Sequence, residues 1–206
     1  MVGTIRPVVY RDRQLLKWGI AANLHLLGSI LAAIAIGFVV GLLGYWLIPY
    51  SEERWTLLYV ILGISSIAYA FDEMGILRLP RPQRLKQVPA SWRALFHPHI
   101  TAILYGFGLG TGIATRIVSN LLYIVILGLF LHAHPAYAAV TFSLFGLGRG
   151  GSIIVAGWFI RNLHSGEELD LVLRRLAEGQ NRVHAIAGVI LATLGGYWGV
   201  EFYLTL

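Results

Sequence analysis

The sequence has no cysteine among its 206 residues. That excludes disulfides, thiolate metal sites and any dithiol relay carried by this chain alone, and it leaves the compartment open. Charge is scarce as well. Asp, Glu, Lys and Arg make up 13% of the residues, against about 25% in a typical soluble domain, too few to cover a water-facing surface. No nucleophile–base–acid set, phosphate-binding loop or haem-binding pair of histidines stands out. An enzyme is therefore not the expectation, and no catalytic residue, cofactor or metal ligand is assigned. The formal charge of +6 raises the question of nucleic acid. The basic residues, however, fall in short connections between apolar runs, where they act as topology signals, and no nucleic-acid partner is expected.

What is present is apolar: 57% hydrophobic residues and a mean hydropathy of +0.70. A crossing of a hydrocarbon core about 30 Å thick takes about 20 apolar residues. Five runs meet that length, within 18–48, 55–77, 100–131, 137–160 and 183–204. The spacing predicts an all-α, polytopic membrane helix bundle of about five transmembrane helices, one domain over 1–206. The first and third runs are long, so each tilts, lies partly in the interface or, for the third, breaks near its glycines. The N-terminal stretch Met1 to Lys17 is polar with four basic residues, unlike a cleavable signal peptide, and is expected to be retained.

Orientation follows from the connections. Thirteen of the sixteen basic residues lie before the first run or in the connections after the second and fourth, including Arg78 to Arg93 and Arg174 to Arg182. Cytoplasmic placement of these connections, and of the N-terminus, satisfies the positive-inside rule with five crossings. Pro80, Pro82 and Pro89 predict an extended connection over Leu79 to Ala90. Ser165 and Glu168 have capping-box spacing ahead of Leu169, Val172, Leu173 and Leu176, which predicts an amphipathic cytoplasmic helix over about 166–178, lying on the membrane surface.

Glycine is unusually abundant, with 24 copies. Gly37 and Gly41, Gly106 and Gly110, Gly108 and Gly112, Gly146 and Gly150, and Gly195 and Gly199 form small-xxx-small pairs, which let membrane helices approach closely. Two arginines follow the densest glycine clusters, Arg116 and Arg149, and each needs a partner or a wet pocket. Asp72, Glu73 and Glu201 are the acids available. The alternative is an anion site formed by Arg116, Arg149, Gly110, Gly112, Gly148 and Gly150. His97 with His99, and His132 with His134, form His-x-His pairs without a third ligand, so they read as surface histidines. His25, one turn from Asn23 and Ser29, is placed to hydrogen-bond across helices.

The order of features also has a familiar pattern. Gly37 to Pro80, with its Leu-Leu-Gly, Leu-Gly-Ile-Ser-Ser and Gly-Ile-Leu-Arg-Leu-Pro segments, resembles the second and third helices of the cytochrome c biogenesis CcdA/DsbD transmembrane family. Phe107 to Ala114 resembles the start of that family's fourth helix, Phe142 to Ile154 the following Gly-Leu-Gly helix, and Ile186 to Tyr197 the last. The resemblance runs from about Ala35 onward. That family passes electrons through two membrane cysteines in Pro-Cys settings. Here its first helix is missing, and Ile113 and Ala114 stand where the second Pro-Cys would be. The resemblance thus implies a cysteine-free membrane scaffold or accessory subunit in a bacterial-type inner membrane, with lipids and other membrane subunits as partners, or else a redox component that takes its cysteines from a partner. A small-solute transporter for an anion or metal ion, with a midplane site at Arg116 and Arg149, is the alternative.

Overall fold

Apolar runs bounded by charge form helices here because a helix satisfies its own backbone hydrogen bonds, as a segment in hydrocarbon must. The computed structural model describes residues 15–51, 53–80, 91–112, 119–161, 171–172, 174–175 and 179–205, and every regular element among them is a helix. In chain order these are α1 (Leu15–Leu47), α2 (Glu53–Glu73), α3 (Trp92–Leu95), α4 (Pro98–Gly110), α5 (Leu121–His132), α6 (Pro135–Arg161) and α7 (Gln180–Leu204). Four of them, α1, α2, α6 and α7, are long and apolar enough to cross a membrane. The expectations for 1–14, for most of the proline-rich connection, for Arg116 and for most of the amphipathic segment about 166–178 fall outside the described residues.

The third apolar run resolves into two short helices. α4 has 13 residues and α5 has 12, so each extends roughly 20 Å, too short for a core of about 30 Å. α4 starts with His97 as its cap and Pro98 in the first turn, and it stops at glycine, with Gly112 in the left-handed region at φ 70°. That conformation suits a residue without a Cβ and ends the helix. Of the possibilities raised by the length of this run, the structure shows the break near the glycines.

The chain divides into two compact units. One contains the N-terminal part of α1 up to Ile36, with α3, α4 and most of α6. Here glycines let backbone meet backbone. A methyl group on Gly106 or Gly110 of α4 would collide with the carbonyl of His25 or Ser29 of α1, and one on Gly28 would collide with the carbonyl of Ile103. From α6, a Cβ on Gly146 would stand 2.7 Å from the Ser29 carbonyl oxygen, and one on Gly150 2.9 Å from the Ser29 Cβ. The Ser29 hydroxyl donates to the Gly146 carbonyl at 2.9 Å. Two helices thus clasp α1 through its buried Ser29, the close approach that small residues allow in membranes.

The other unit contains the C-terminal part of α1, with α2, α5 and α7. Its buried cluster is Leu58, Leu62, Ala70, Ile124, Leu131 and Leu191. A Cβ on Gly195 of α7 would lie 2.6 Å from the Ile67 side chain and 3.2 Å from the Gly63 carbonyl oxygen. Tyr69 and Tyr123 stack at 5.6 Å between centroids. At the end of α5, Ala133 adopts the left-handed conformation (φ 52°), and the Arg54 guanidinium donates to the terminal carbonyls of Leu131 and His132. A cation at a helix C-terminus offsets the partial negative charge of those carbonyls.

Candidate functional site

A polar cluster within the second unit lies where α2 ends. Asp72 and Glu73 occupy its last turn, where the carbonyls already carry partial negative charge and two carboxylates are poorly placed. Both are nonetheless buried, at 6% and 7% exposure. A Schellman turn shapes the exit: Ile76 N–H donates to the Phe71 carbonyl at 2.9 Å and Gly75 N–H to the Asp72 carbonyl at 3.1 Å. Gly75 takes φ 76° at the position where this motif requires a left-handed residue.

What makes the two acids tolerable is the start of α5. The Asn120 backbone N–H donates to Glu73 Oε1 at 2.5 Å, and its side-chain amide donates to Asp72 Oδ2 at 2.6 Å. Leu79 N–H adds a donor to Asp72 Oδ1 at 3.0 Å. Asn120 stands at the N-cap of α5 but makes no side-chain cap to its own helix; its amide is committed to Asp72. The positive end of α5 therefore meets two carboxylates from another helix, the favourable pairing of anion with helix N-terminus.

His184 of α7 completes the cluster, with its Nδ1 against Glu73 Oε2. Because the carboxylate accepts, Nδ1 donates, and the glutamate fixes the ring orientation. Glu73's side chain is sealed from solvent while His184's keeps 22% exposure. The imidazole lines an open cleft of about 590 Å³, together with Glu73, Met74, Gly75, Asn181, Ala185 and Val189. The partly exposed ring thus links the buried carboxylate to the cleft.

The residues singled out from sequence fall elsewhere. Gly110 and Gly150 meet at Ser29, inside the closed α1 clasp. Gly112 is the turn after α4. Gly148 faces open space on α6, beside Arg149, whose guanidinium sits over the Phe145 ring at 5.5 Å. Arg116 lies outside the described residues. The five described positions are thus spread over a packed crossing, a turn and an open face. Asp72 and Glu73, considered as arginine partners, are seen here with Asn120, Leu79 and His184. His25 does bond across helices, its Nδ1 lying 3.3 Å from the Ala102 carbonyl oxygen. His97 and His99 stack at 5.0 Å between centroids, and His132 lies between Trp55 (5.6 Å) and Tyr137 (4.7 Å).

Sequence reasoning passed over Asn120 and His184. Each is a lone polar residue at the edge of an apolar run, where a headgroup contact is the ordinary reading. The available signal was positional: the loop charges assign the end of α2 and the start of α7 to the same side, which brings Glu73 and His184 to a common level.

Comparison with known proteins adds a direction. Five curated proteins match the chain, and all are named methylamine utilization protein MauF. The one from Methylobacillus flagellatus is 26% identical over 90% of this chain and 62% of its own length. That from Methylorubrum extorquens is 31% identical over 82% of this chain and 62% of its own length. The Paracoccus denitrificans protein is 29% identical over 94% and 67%. The chain thus spans less than two thirds of the first two relatives' length. No family model and no solved structure matches. These relatives overturn the cytochrome c biogenesis CcdA/DsbD assignment, because glycine and leucine patterns common to membrane helices carried it, whereas the MauF similarity extends through most of the chain. The cysteine-free scaffold or subunit inferred from that assignment, and the alternative of a solute transporter at Arg116 and Arg149, are corrected with it.

Proposed function

We propose that this chain is a membrane-embedded protein of methylamine utilisation, acting through the Asp72–Glu73–Asn120–His184 cluster. The observation that carries the reading is the shared name of five relatives, three of which match over more than four fifths of the chain. Four long apolar helices support placement in a membrane. The distribution of basic residues supports a bacterial-type inner membrane with the N-terminus cytoplasmic. Five crossings, the third within 100–131, fit that distribution. Lipids surround the bundle on this reading, and the exposed aromatic residues Tyr45, Trp46, Trp158, Tyr203 and Tyr50 are suited to the headgroup level.

The experiment is genetic. Deletion of the gene in the native host abolishes growth on methylamine as sole nitrogen source and spares growth on ammonium. Restoring the intact chain restores growth, whereas Glu73→Gln, inserted to the same level, does not. Unimpaired growth of the deletion strain on methylamine overturns the reading. Full rescue by Glu73→Gln with His184→Gln removes the cluster from it.

A further inference from the structure

Only Ala133 and His134 separate α5 from α6. Ala133 sits in the left-handed region at φ 52° and is 6% exposed. A residue with a Cβ keeps that conformation only where its surroundings impose it. Two sets of contacts do so here. From α1, a Cβ on Gly44 would collide with the Phe130 carbonyl and stand 3.1 Å from Ala133 Cα, and one on Gly41 would stand 2.8 Å from Pro135 Cα. From α2, the Arg54 guanidinium donates to the Leu131 and His132 carbonyls. It also lies over the Tyr50 and Trp55 rings, at 5.9 and 5.6 Å.

Each histidine of the corner stands at one helix end. α6 begins with Pro135, which has no N–H. The Tyr137 N–H donates to His134 Nδ1 at 3.2 Å, and the Ala138 N–H donates to the His134 carbonyl at 2.9 Å. His134 is thus the cap of α6, a place more often filled by Ser, Thr, Asp or Asn. A neutral ring whose Nδ1 accepts carries its proton on Nε2, so it offers no lone pair to a metal shared with His132. A proton on Nδ1 would cancel the cap and set a positive charge at the positive end of a helix. His132 lies between Trp55 and Tyr137, at 5.6 and 4.7 Å between centroids, and 6.4 Å from His134. Burial, then the Arg54 guanidinium, then His134 oppose a proton there. The stretch of α1 against the corner, 37–47, contains Tyr45 and no charged residue, while Glu52 and Glu53 precede Arg54 in the sequence.

We propose that the α5–α6 corner is an acid-sensitive joint, in which a proton on His134 uncaps α6 and a proton on His132 drives Arg54 from the carbonyl end of α5. Histidine is the side chain that ordinarily changes charge between pH 5 and 8, so the joint is closed above neutrality and loosens in mild acid. Once both contacts are lost, Ala133 is free to leave the left-handed region and the first turn of α6 frays. On the membrane reading above, the corner faces away from the cytoplasm and responds to the pH on that side. The joint itself depends neither on that reading nor on the methylamine one.

Residue-resolved hydrogen exchange of the intact chain in lipid nanodiscs tests it, at pH 7.5 and pH 5.0 with intrinsic rates corrected for. Protection of the Tyr137 and Ala138 amides is expected to fall about fivefold or more at the lower pH, the usual effect of losing a helix cap. Protection of Ala133, whose N–H donates to the Leu129 and Phe130 carbonyls, falls with it. His134→Asn, which caps without titrating, keeps Tyr137 and Ala138 protected at both pH values, whereas His134→Lys exposes them at both. His132→Gln spares Ala133 in acid. Glu52→Gln with Glu53→Gln leaves the acid response unchanged. Protection that ignores pH in the intact chain overturns the proposal. So does an acid response as large in His134→Asn, its disappearance in the glutamate variant, or a response confined to Ile76 at the exit of α2.

Discussion

The side-chain amide of Asn120 reaches Asp72 Oδ2 at 2.6 Å across 48 positions of sequence. Through this bond the start of one apolar helix is held to the end of another. Asn120 is 1% exposed, so loss of the amide removes one donor from a buried carboxylate and leaves an apolar group against it. Asn120→Leu is expected to destabilise the protein by roughly 1–3 kcal/mol, the usual cost of an unsatisfied buried polar group. A lowered thermal midpoint in lipid nanodiscs checks this, and an unchanged midpoint would show that Asp72 finds another donor.

Glu73 and His184 are in direct contact, so their substitutions should not be additive. In a double-mutant cycle with Glu73→Gln and His184→Gln, the double variant is expected to lose less stability than the sum of the singles. A coupling of about 0.5–3 kcal/mol is typical of residues in one network. Additive losses would mean that each side chain is held mainly by other neighbours.

The glycines predict a sharp contrast. Gly110→Val places a branched side chain into the Ser29 carbonyl and is expected to prevent folding, whereas Gly196→Val, beside open space, is expected to be tolerated. The ratio of folded, monodisperse protein after mild extraction reads the difference. Equal recovery would mean that α4 does not press on α1 as described.

At the far end of α5, just past the predicted apolar run, His132 gives a pH prediction. Burial, then the positive charge of Arg54, then His134 hold its pKa below the usual 6.5. The folded protein therefore binds fewer protons here than the unfolded chain. Stability falls as pH drops below about 6.5 and levels off beneath the folded-state value. Melting from pH 7.5 to pH 5 is expected to show this decline, and His132→Gln to flatten it. A decline of the same size in the variant would assign it to other groups.

Much of the fold was legible because a membrane helix announces itself by length and apolar content alone. α1, α2, α6 and α7 fall close to the runs predicted at 18–48, 55–77, 137–160 and 183–204. The third run could be given no single outcome, because hydropathy is blind to backbone dihedrals and the break turns on Gly112 at φ 70°. The polar cluster was less legible still. Asp72 and Glu73 drew notice as acids near a span, but Asn120 and His184 acquire meaning only when three separate helices bring them together. Arg149 shows the opposite case: its place in an apolar run marked it directly, and the structure added the open glycine face beside it.

The backbone contacts of α4 with α1 carry a consequence for how the chain is made. α4 is too short to hold a transmembrane position unaided, and its seat consists of carbonyls at His25 and Ser29 on a helix that leaves the ribosome before it. That earlier helix is therefore a template as well as an anchor: α4 finds its depth by settling onto a surface already in place. Damage to its early turns would be expressed most strongly some eighty residues downstream, in segments whose own sequence is intact.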